Sequence, residues 1–282
     1  VFLIRDRDPK PLTAFGEILH FDGRVALLRT WEDEPEGLFR GRWELKRLRK
    51  SPIKIKHPSE WRQPKSLMQN PLVEAMVAAV SEDSVRAHIQ RLQDFVTRYT
   101  LTDSCVSASH WIHDKFLAVG IDSVFYHQYQ AGWPDNVIAT IPGVTRPELI
   151  YIICGHLDCT SEDPYNDAPG ADDNASGTAT CIEAARVMSG YLFDATVKFI
   201  AFSGEEQGLV GSQEYASMCR AQGDSIIGVL NFDMVGYGGT SLELTSIGNN
   251  PSMWLVDFLI ACGDTYVPAL PVARLMDPTM RY

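Results

Sequence analysis

Y-I-I-C-G-H-L-D-C-T-S-E-D-P-Y-N-D-A-P-G-A-D-D-N-A-S-G, from Tyr151 to Gly177, is the stretch that decides how the rest of this chain is read. It opens as an apolar run suited to a buried strand, passes through a loop crowded with carboxylates, and leads into a helix. In α/β sheets ligands bind in the crevice outside the carboxyl ends of the strands, because side chains from neighbouring loops converge there. His156 stands at such an edge. One imidazole among acidic groups is a donor set for a borderline cation such as zinc.

Outward from this stretch, the chain alternates strands and helices. Helical spacing covers P-L-V-E-A-M-V-A-A-V from Pro71, then V-R-A-H-I-Q-R-L-Q-D-F with Ser84 as its N-cap, then Ser107 to Val119 ending at Gly120. Strand-like runs follow at Asp122–Gln130, Asn136–Ile141 and Glu148–Cys154. Beyond the site loop come a helix at Ala175–Met188, a strand at Val197–Phe202, a helix at Val210–Arg220, strands at Ile226–Phe232 and Leu242–Ile247, and a helix near Ser252–Cys262. This order predicts an α/β fold: a mixed, mostly parallel central sheet with helices on both faces.

Residues 1–66 read differently, as a basic β-containing appendage or pro-segment with a linker. Gly16 to Thr30 suggests two strands turning at Asp22-Gly23, and the segment up to Lys65 is rich in charge and broken by Pro52, Pro58 and Pro64. The basic run Lys46 to Lys56 reads as a solvated face. Residues 67–282 form the predicted catalytic domain.

Composition bounds the function. Of 282 residues, 45% are hydrophobic, enough for a full core. The formal charge of −11 is uneven: residues 1–66 carry 15 Lys/Arg against 10 Asp/Glu, and the remainder 10 against 26. So acidic a body argues against nucleic acid as a partner and is compatible with binding cations. No apolar run is long enough to span a membrane, and charges from Arg5 onward rule out a signal peptide at Val1. The six cysteines form no C-x-x-C pair, and Cys154 and Cys181 read as small buried hydrophobes. No G-x-S-x-G elbow, G-x-G-x-x-G or Walker sequence is present. The histidines other than His156 are assigned to core or surface packing, including His110 and His113, three apart on one helix.

The central argument is a coincidence of strand ends. His156 and Asp158 follow one predicted strand, Glu205 and Glu206 the next, and Asp233 the third, while Asp172 and Asp173 reach in from the long loop. Carboxylates this close repel one another unless a cation neutralises them. Two divalent ions would do so, share a bridging carboxylate, and activate a bridging water as hydroxide near neutral pH. Of the adjacent Glu205 and Glu206, one can coordinate and the other serve as general base.

G-H-L-D, A-P-G-A-D-D-N-A-S-G, S-G-E-E-Q-G-L-V-G-S and N-F-D-M, in that order, resemble the co-catalytic di-zinc aminopeptidases of the secreted bacterial leucyl aminopeptidase type. The resemblance covers about Pro71 to Tyr282. It implies that His156, Asp173 and Asp233 hold one zinc, that Asp173 bridges to a second held by Glu206, and that Glu205 is the general base. It implies that Asp158 hydrogen-bonds the His156 ring, that Asp173-Asn174 is a cis peptide, and that Met234 lines the substrate pocket. Peptides with hydrophobic N-terminal residues are the implied substrates, and a secreted or periplasmic location follows from the same resemblance. One departure stands out. The family's fifth ligand is a histidine near the C-terminus, and no histidine follows His156 here, as if the chain stopped before that segment. The Glu206 site is therefore expected to bind zinc weakly. Alternatives are a carboxypeptidase of the glutamate-carboxypeptidase type, a single-zinc glutaminyl cyclase relative, and a non-catalytic binding domain.

Overall fold

In the computed structural model, residues 2–5, 10–21, 25–31, 44–47, 67–237 and 242–277 are described. The chain divides into two units, Val1–Arg62 and Gln63–Tyr282. In the first, strands β1 (Phe2–Arg5), β2 (Gly16–Phe21), β3 (Val25–Thr30) and β4 (Glu44–Arg47) form an antiparallel sheet in the order β2-β3-β1-β4. Leu12, Ala26 and Leu28 are buried in its small core. The predicted turn at Asp22-Gly23, His57, the linker prolines and most of the Lys46–Lys56 run lie outside the described residues.

In the second unit, three helices precede the main sheet: α1 (Pro71–Ala78), α2 (Glu82–Gln93) and α3 (Asp103–Ala118). Each has a side-chain N-cap: Asn70 accepts from Leu72 N, Ser81 from Ser84 N, and Thr102 from Cys105 N. The predicted cap of α2, Ser84, is thus one turn too late, because Ser81 holds the extended backbone a cap needs and Glu82 and Asp83 fill the first turn. Helix α3 likewise starts earlier than predicted, at Asp103 behind Thr102.

Strands β5 (Ser123–His127), β6 (Asn136–Ile141), β7 (Arg146–His156), β8 (Ala195–Phe202) and β9 (Ser225–Asn231) form one sheet in the order β5-β6-β8-β7-β9. Strands β8, β7 and β9 are parallel neighbours, and β5 and β6 add an antiparallel edge. The sheet is mixed and mostly parallel as expected: β5, β7, β8 and β9 run one way and β6 runs against them. Helix α4 (Gly177–Met188) follows β7, and α5 (Val210–Gln222) follows β8. Strand alternation sorts the core between two faces. Val137, Ala139, Val197, Phe199 and Ala201 pack with Leu92 of α2, Ile112 and Phe116 of α3, and Ile182 of α4. Ile138 and Ile200 point the other way, toward Tyr215 and Cys219 of α5. Helices therefore cover both faces, which is why β6 and β8 read as continuous apolar runs.

Strand β10 (Leu244–Gly248), helix α6 (Met253–Tyr266) and strand β11 (Val272–Met276) form a parallel β-α-β unit in a separate two-stranded sheet. The sequence reading did not anticipate β11. All six cysteines are free thiols, with Cys154 and Cys181 buried. His113 stacks on Tyr126 at 4.5 Å and His110 meets the same ring edge-on at 5.6 Å. No helix among the described residues is long and apolar enough to cross a membrane.

Candidate metal centre

Strand register brings the site together. His156, the last residue of β7, pairs with Phe202 of β8, and Cys154 pairs with Asn231 of β9. Glu205 and Asp233 therefore leave the flanking strands on either side of His156. The imidazole is 3% exposed, and its Nε2 lies 3.2 Å from Asp173 Oδ1, 3.7 Å from Asp233 Oδ1 and 4.0 Å from Glu205 Oε2. The three ligand atoms offered by His156, Asp173 and Asp233 all lie within 4.8 Å of one another. Donors held tetrahedrally at zinc–ligand lengths are about 3.3 Å apart, so this set fits one zinc.

The tautomer fits as well. His156 Nδ1 is 3.1 Å from the Asp158 backbone carbonyl, which can only accept, so Nδ1 carries a proton and Nε2 faces the carboxylates. Asp158 thus meets the ring through its backbone carbonyl, and its carboxylate stays 3.7 Å away. That carboxylate, wholly buried, is turned toward other donors: the Thr100 hydroxyl at 2.9 Å, Glu205 N at 3.2 Å and Glu206 N at 3.1 Å. It thus ties the β7 loop to the turn that presents both glutamates. In that turn Gly204 has φ +70°, and a Cβ there would meet the Tyr129 hydroxyl at 2.7 Å and the Trp133 ring at 3.0 Å, so both conformation and space call for glycine.

Asp173 sits in an irregular helical turn, Ala171–Ser176, and its peptide bond to Asn174 is cis. Its neighbours hold the Asp233 loop. Asn174 Nδ2 donates to Phe232 O at 2.9 Å, Val235 N donates to Ser176 Oγ at 3.1 Å, and Gly236 N donates to Asp172 Oδ1 at 2.8 Å. Asp172, expected to reach into the site, serves this anchoring role. Met234, adjacent to Asp233, is 48% exposed with φ +50°.

Electrostatics follow from the crowding. Burial would lower the His156 pKa, but Asp158, Asp173 and Asp233 outweigh it and push it up to about 12. Its bond to Asp173 in turn holds that carboxyl below its ordinary value. Without metal, then, an imidazolium neutralises the cluster, and a divalent cation must displace its proton. Glu206 is raised to about 7 by burial and then by the Asp173 charge. Burial also raises Glu205, with Asp158, Asp233 and Asp173 adding to it and His156 opposing.

Two residues central to this arrangement escaped the sequence reading. Arg98, fully buried, donates from Nε to Leu157 O at 2.8 Å, from Nη1 to Leu92 O and Pro169 O, and from Nη2 to Gly170 O at 2.9 Å. It clamps the loop beside His156 to the loop before Asp173. Thr100 supports Asp158. Nothing in V-T-R-Y-T marks either one, since their partners are backbone carbonyls and a carboxylate about sixty positions away.

Residues 136–266 match peptidase family M28. The match takes in β6 to α6, the part of the chain that carries His156, Asp173, Glu205, Glu206 and Asp233. It is similar to a probable zinc metalloprotease of Pyrenophora teres f. teres, with 32% identity over 189 residues, 58% of this chain and 41% of the relative. A probable leucine aminopeptidase of Arthroderma otae is 29% identical over 225 residues, 76% of this chain and 62% of the relative. The chain thus spans 41% to 62% of the length of these relatives. Among solved structures, the Legionella pneumophila LapA aminopeptidase shares its fold with a TM-score of 0.69 at 18% identity, covering 97% of this chain and 81% of that one. A Bacteroides thetaiotaomicron glutaminyl cyclase shares it with a TM-score of 0.54 at 19% identity, covering 71% and 78%.

Proposed function

We propose that this chain is a zinc-dependent aminopeptidase of the M28 type that removes N-terminal, hydrophobic residues from peptides. The observation that carries the reading is the convergence of His156 Nε2, Asp173 and Asp233 at adjacent strand ends, with Glu205 Oε2 4.0 Å from the same nitrogen. His156, Asp173 and Asp233 would hold one zinc, and Glu206, with Asp173 bridging, the second. Bound zinc would polarise the scissile carbonyl and acidify the attacking water.

The protein's own groups supply the rest. Glu205 takes a proton on its carboxylate and passes it to the departing amine, a task suited to a carboxyl that burial holds above its ordinary value. Its backbone N–H is tied to Asp158 Oδ1, which fixes the start of its side chain. Asp158 is accordingly a support for the base and for the second ligand rather than a proton carrier. Met234, half exposed beside Asp233, would meet the substrate side chain. His156, Asp173 and Asp233 form a three-donor set, so the zinc they hold would be the tighter and the one at Glu206 the weaker.

The test is zinc-dependent hydrolysis of a leucine chromogenic amide, beside Glu205→Gln. Loss of activity on chelation, and a fall of about 100- to 10,000-fold in Glu205→Gln with zinc retained, are expected. Two equally tight zinc sites would refute the weak-site assignment. Zinc-loaded protein that cyclises N-terminal glutamine and leaves leucine amides intact would refute the aminopeptidase reading.

A further inference from the structure

Asn136 opens β6, is fully buried, and gives its paired residue on β5, His127, only one hydrogen of its amide. Its carboxamide instead reaches the turn that carries the two glutamates. Oδ1 accepts from Ser203 N at 2.8 Å, and Nδ2 donates to Gly211 O at 2.9 Å. The two positions bracket Gly204–Val210, so one side chain closes both ends of the loop. The backbone repeats the closure: Gly211 N donates to Ser203 O at 3.2 Å, Val210 N to Gly204 O at 2.9 Å, and Gly208 N and Leu209 N both to Glu205 O at 2.8 Å. A Cβ at Gly211 would collide with Ser203 O and with the Asn136 carboxamide, so the close approach requires glycine there.

The orientation of the amide is settled by its partners. Ser203 N–H can only donate and Gly211 O can only accept, which places oxygen and nitrogen unambiguously. The second Nδ2 hydrogen is directed at His127 Nδ1, 2.9 Å away on the paired residue of β5, so His127 carries its proton on Nε2. Asn136 is fully buried, so a lost bond to this loop is not replaced by one to bulk solvent. An aspartate of the same shape would set a carboxylate oxygen against the Gly211 carbonyl, and a leucine would leave both loop ends unpaired.

We propose that Asn136 is a positioning residue: by stapling Ser203 to Gly211 it sets where the Glu205 and Glu206 carboxylates stand. Asp158 holds the same turn from the opposite side through the Glu205 and Glu206 amides, so the glutamates are fixed between two buried polar anchors. The inference rests on the aminopeptidase reading for its effect on rate, and on geometry alone for its effect on the loop.

The experiment compares wild type with Asn136→Leu and Asn136→Asp in amide hydrogen exchange on the zinc-free protein, zinc titration, and steady-state hydrolysis of the leucine amide. Amides of the 203–211 loop should exchange about 10- to 100-fold faster in the variants, while β7 and α4 keep their protection. Zinc affinity at His156, Asp173 and Asp233 should hold, and kcat should fall about 10- to 100-fold with KM changed less than about threefold. Unchanged loop exchange in a folded variant overturns the proposal, as does a wild-type kcat. Should Asn136→Leu fail to fold, Asn136→Asp, which keeps size and the Ser203 acceptor, decides in its place. If both lose protection uniformly, Asn136 serves packing alone and the proposal fails. If wild type itself shows no hydrolysis, the aminopeptidase reading fails separately, and loop exchange still decides whether the staple exists.

Discussion

Asp158→Asn is the substitution whose outcome this site predicts most sharply. The carboxylate accepts from Thr100 Oγ1, Glu205 N and Glu206 N, and it is fully buried. An asparagine can keep its oxygen toward Glu206 N and the Thr100 hydroxyl, but its NH2 then faces the Glu205 N–H. One charge-assisted bond, about 1.5–3 kcal/mol, is lost outright, and the two that remain weaken to neutral strength. Relief of a buried charge offsets part of this. The net expectation is about 2 kcal/mol of destabilisation, read by urea unfolding of the zinc-free protein, or a fall of about 4–8 °C in Tm. Exchange at the Glu205 and Glu206 amides should rise with it. A variant within about 0.5 kcal/mol of wild type, with those amides equally protected, would refute the role of Asp158 as the anchor of the glutamate turn.

Arg98→Met strips donors from the carbonyls of Leu92, Leu157, Pro169 and Gly170 and should cost about 3–5 kcal/mol, with Arg98→Lys recovering only part because an ammonium cannot reproduce the planar fork. Urea titration checks this, and a methionine variant as stable as wild type would count against the clamp. His156 is raised to about 12 when folded, against about 6.5 unfolded, so its contribution to the stability of the metal-free protein is full below about pH 6.5 and is lost as pH rises toward 12. Zinc must displace the same proton, so calorimetric titration near pH 8 in buffers of differing ionisation enthalpy should show about one proton released at the first site. Proton-independent uptake would contradict the imidazolium. In His156→Ala, tight zinc binding should disappear while the protein stays folded, since α4 and the sheet core do not depend on the ring.

The electrostatic logic joins these predictions. Four acidic side chains, Asp158, Asp173, Glu205 and Asp233, surround one imidazole, and in the absence of a metal the ring's proton is the only counter-charge within their immediate reach among the described residues. Arg98 contributes a buried positive charge from behind, spent on carbonyl oxygens rather than on a carboxylate. A folded apo-protein with a preorganised, proton-occupied site follows from that arrangement, in contrast to small domains that fold only around their metal.

What the sequence by itself determined was whatever is written in local patterns. Apolar runs and helical spacing located the central strands and the flanking helices to within a few residues, because burial on both faces imposes composition directly. The order of strands followed by acidic loops was enough to nominate His156, Asp173, Glu205, Glu206 and Asp233, since ligand-bearing loops must lie at strand ends. Where local signals were ambiguous the reading slipped: Ser81 rather than Ser84 caps α2, and β11 was missed because V-A-R-L-M is short and only gains its partner through pairing with β10. Only the tertiary structure decided how the site is held. The parallel order β8-β7-β9 sets the three loops side by side, and that register is a property of pairing, not of any one strand. Arg98, Asp158 and Asn136 act through backbone groups 59, 47 and 75 positions away, and Thr100 through a carboxylate 58 positions away. A backbone carbonyl or amide has no signature in the amino-acid sequence, so the partners of a buried polar side chain emerge only when the chain is folded around it.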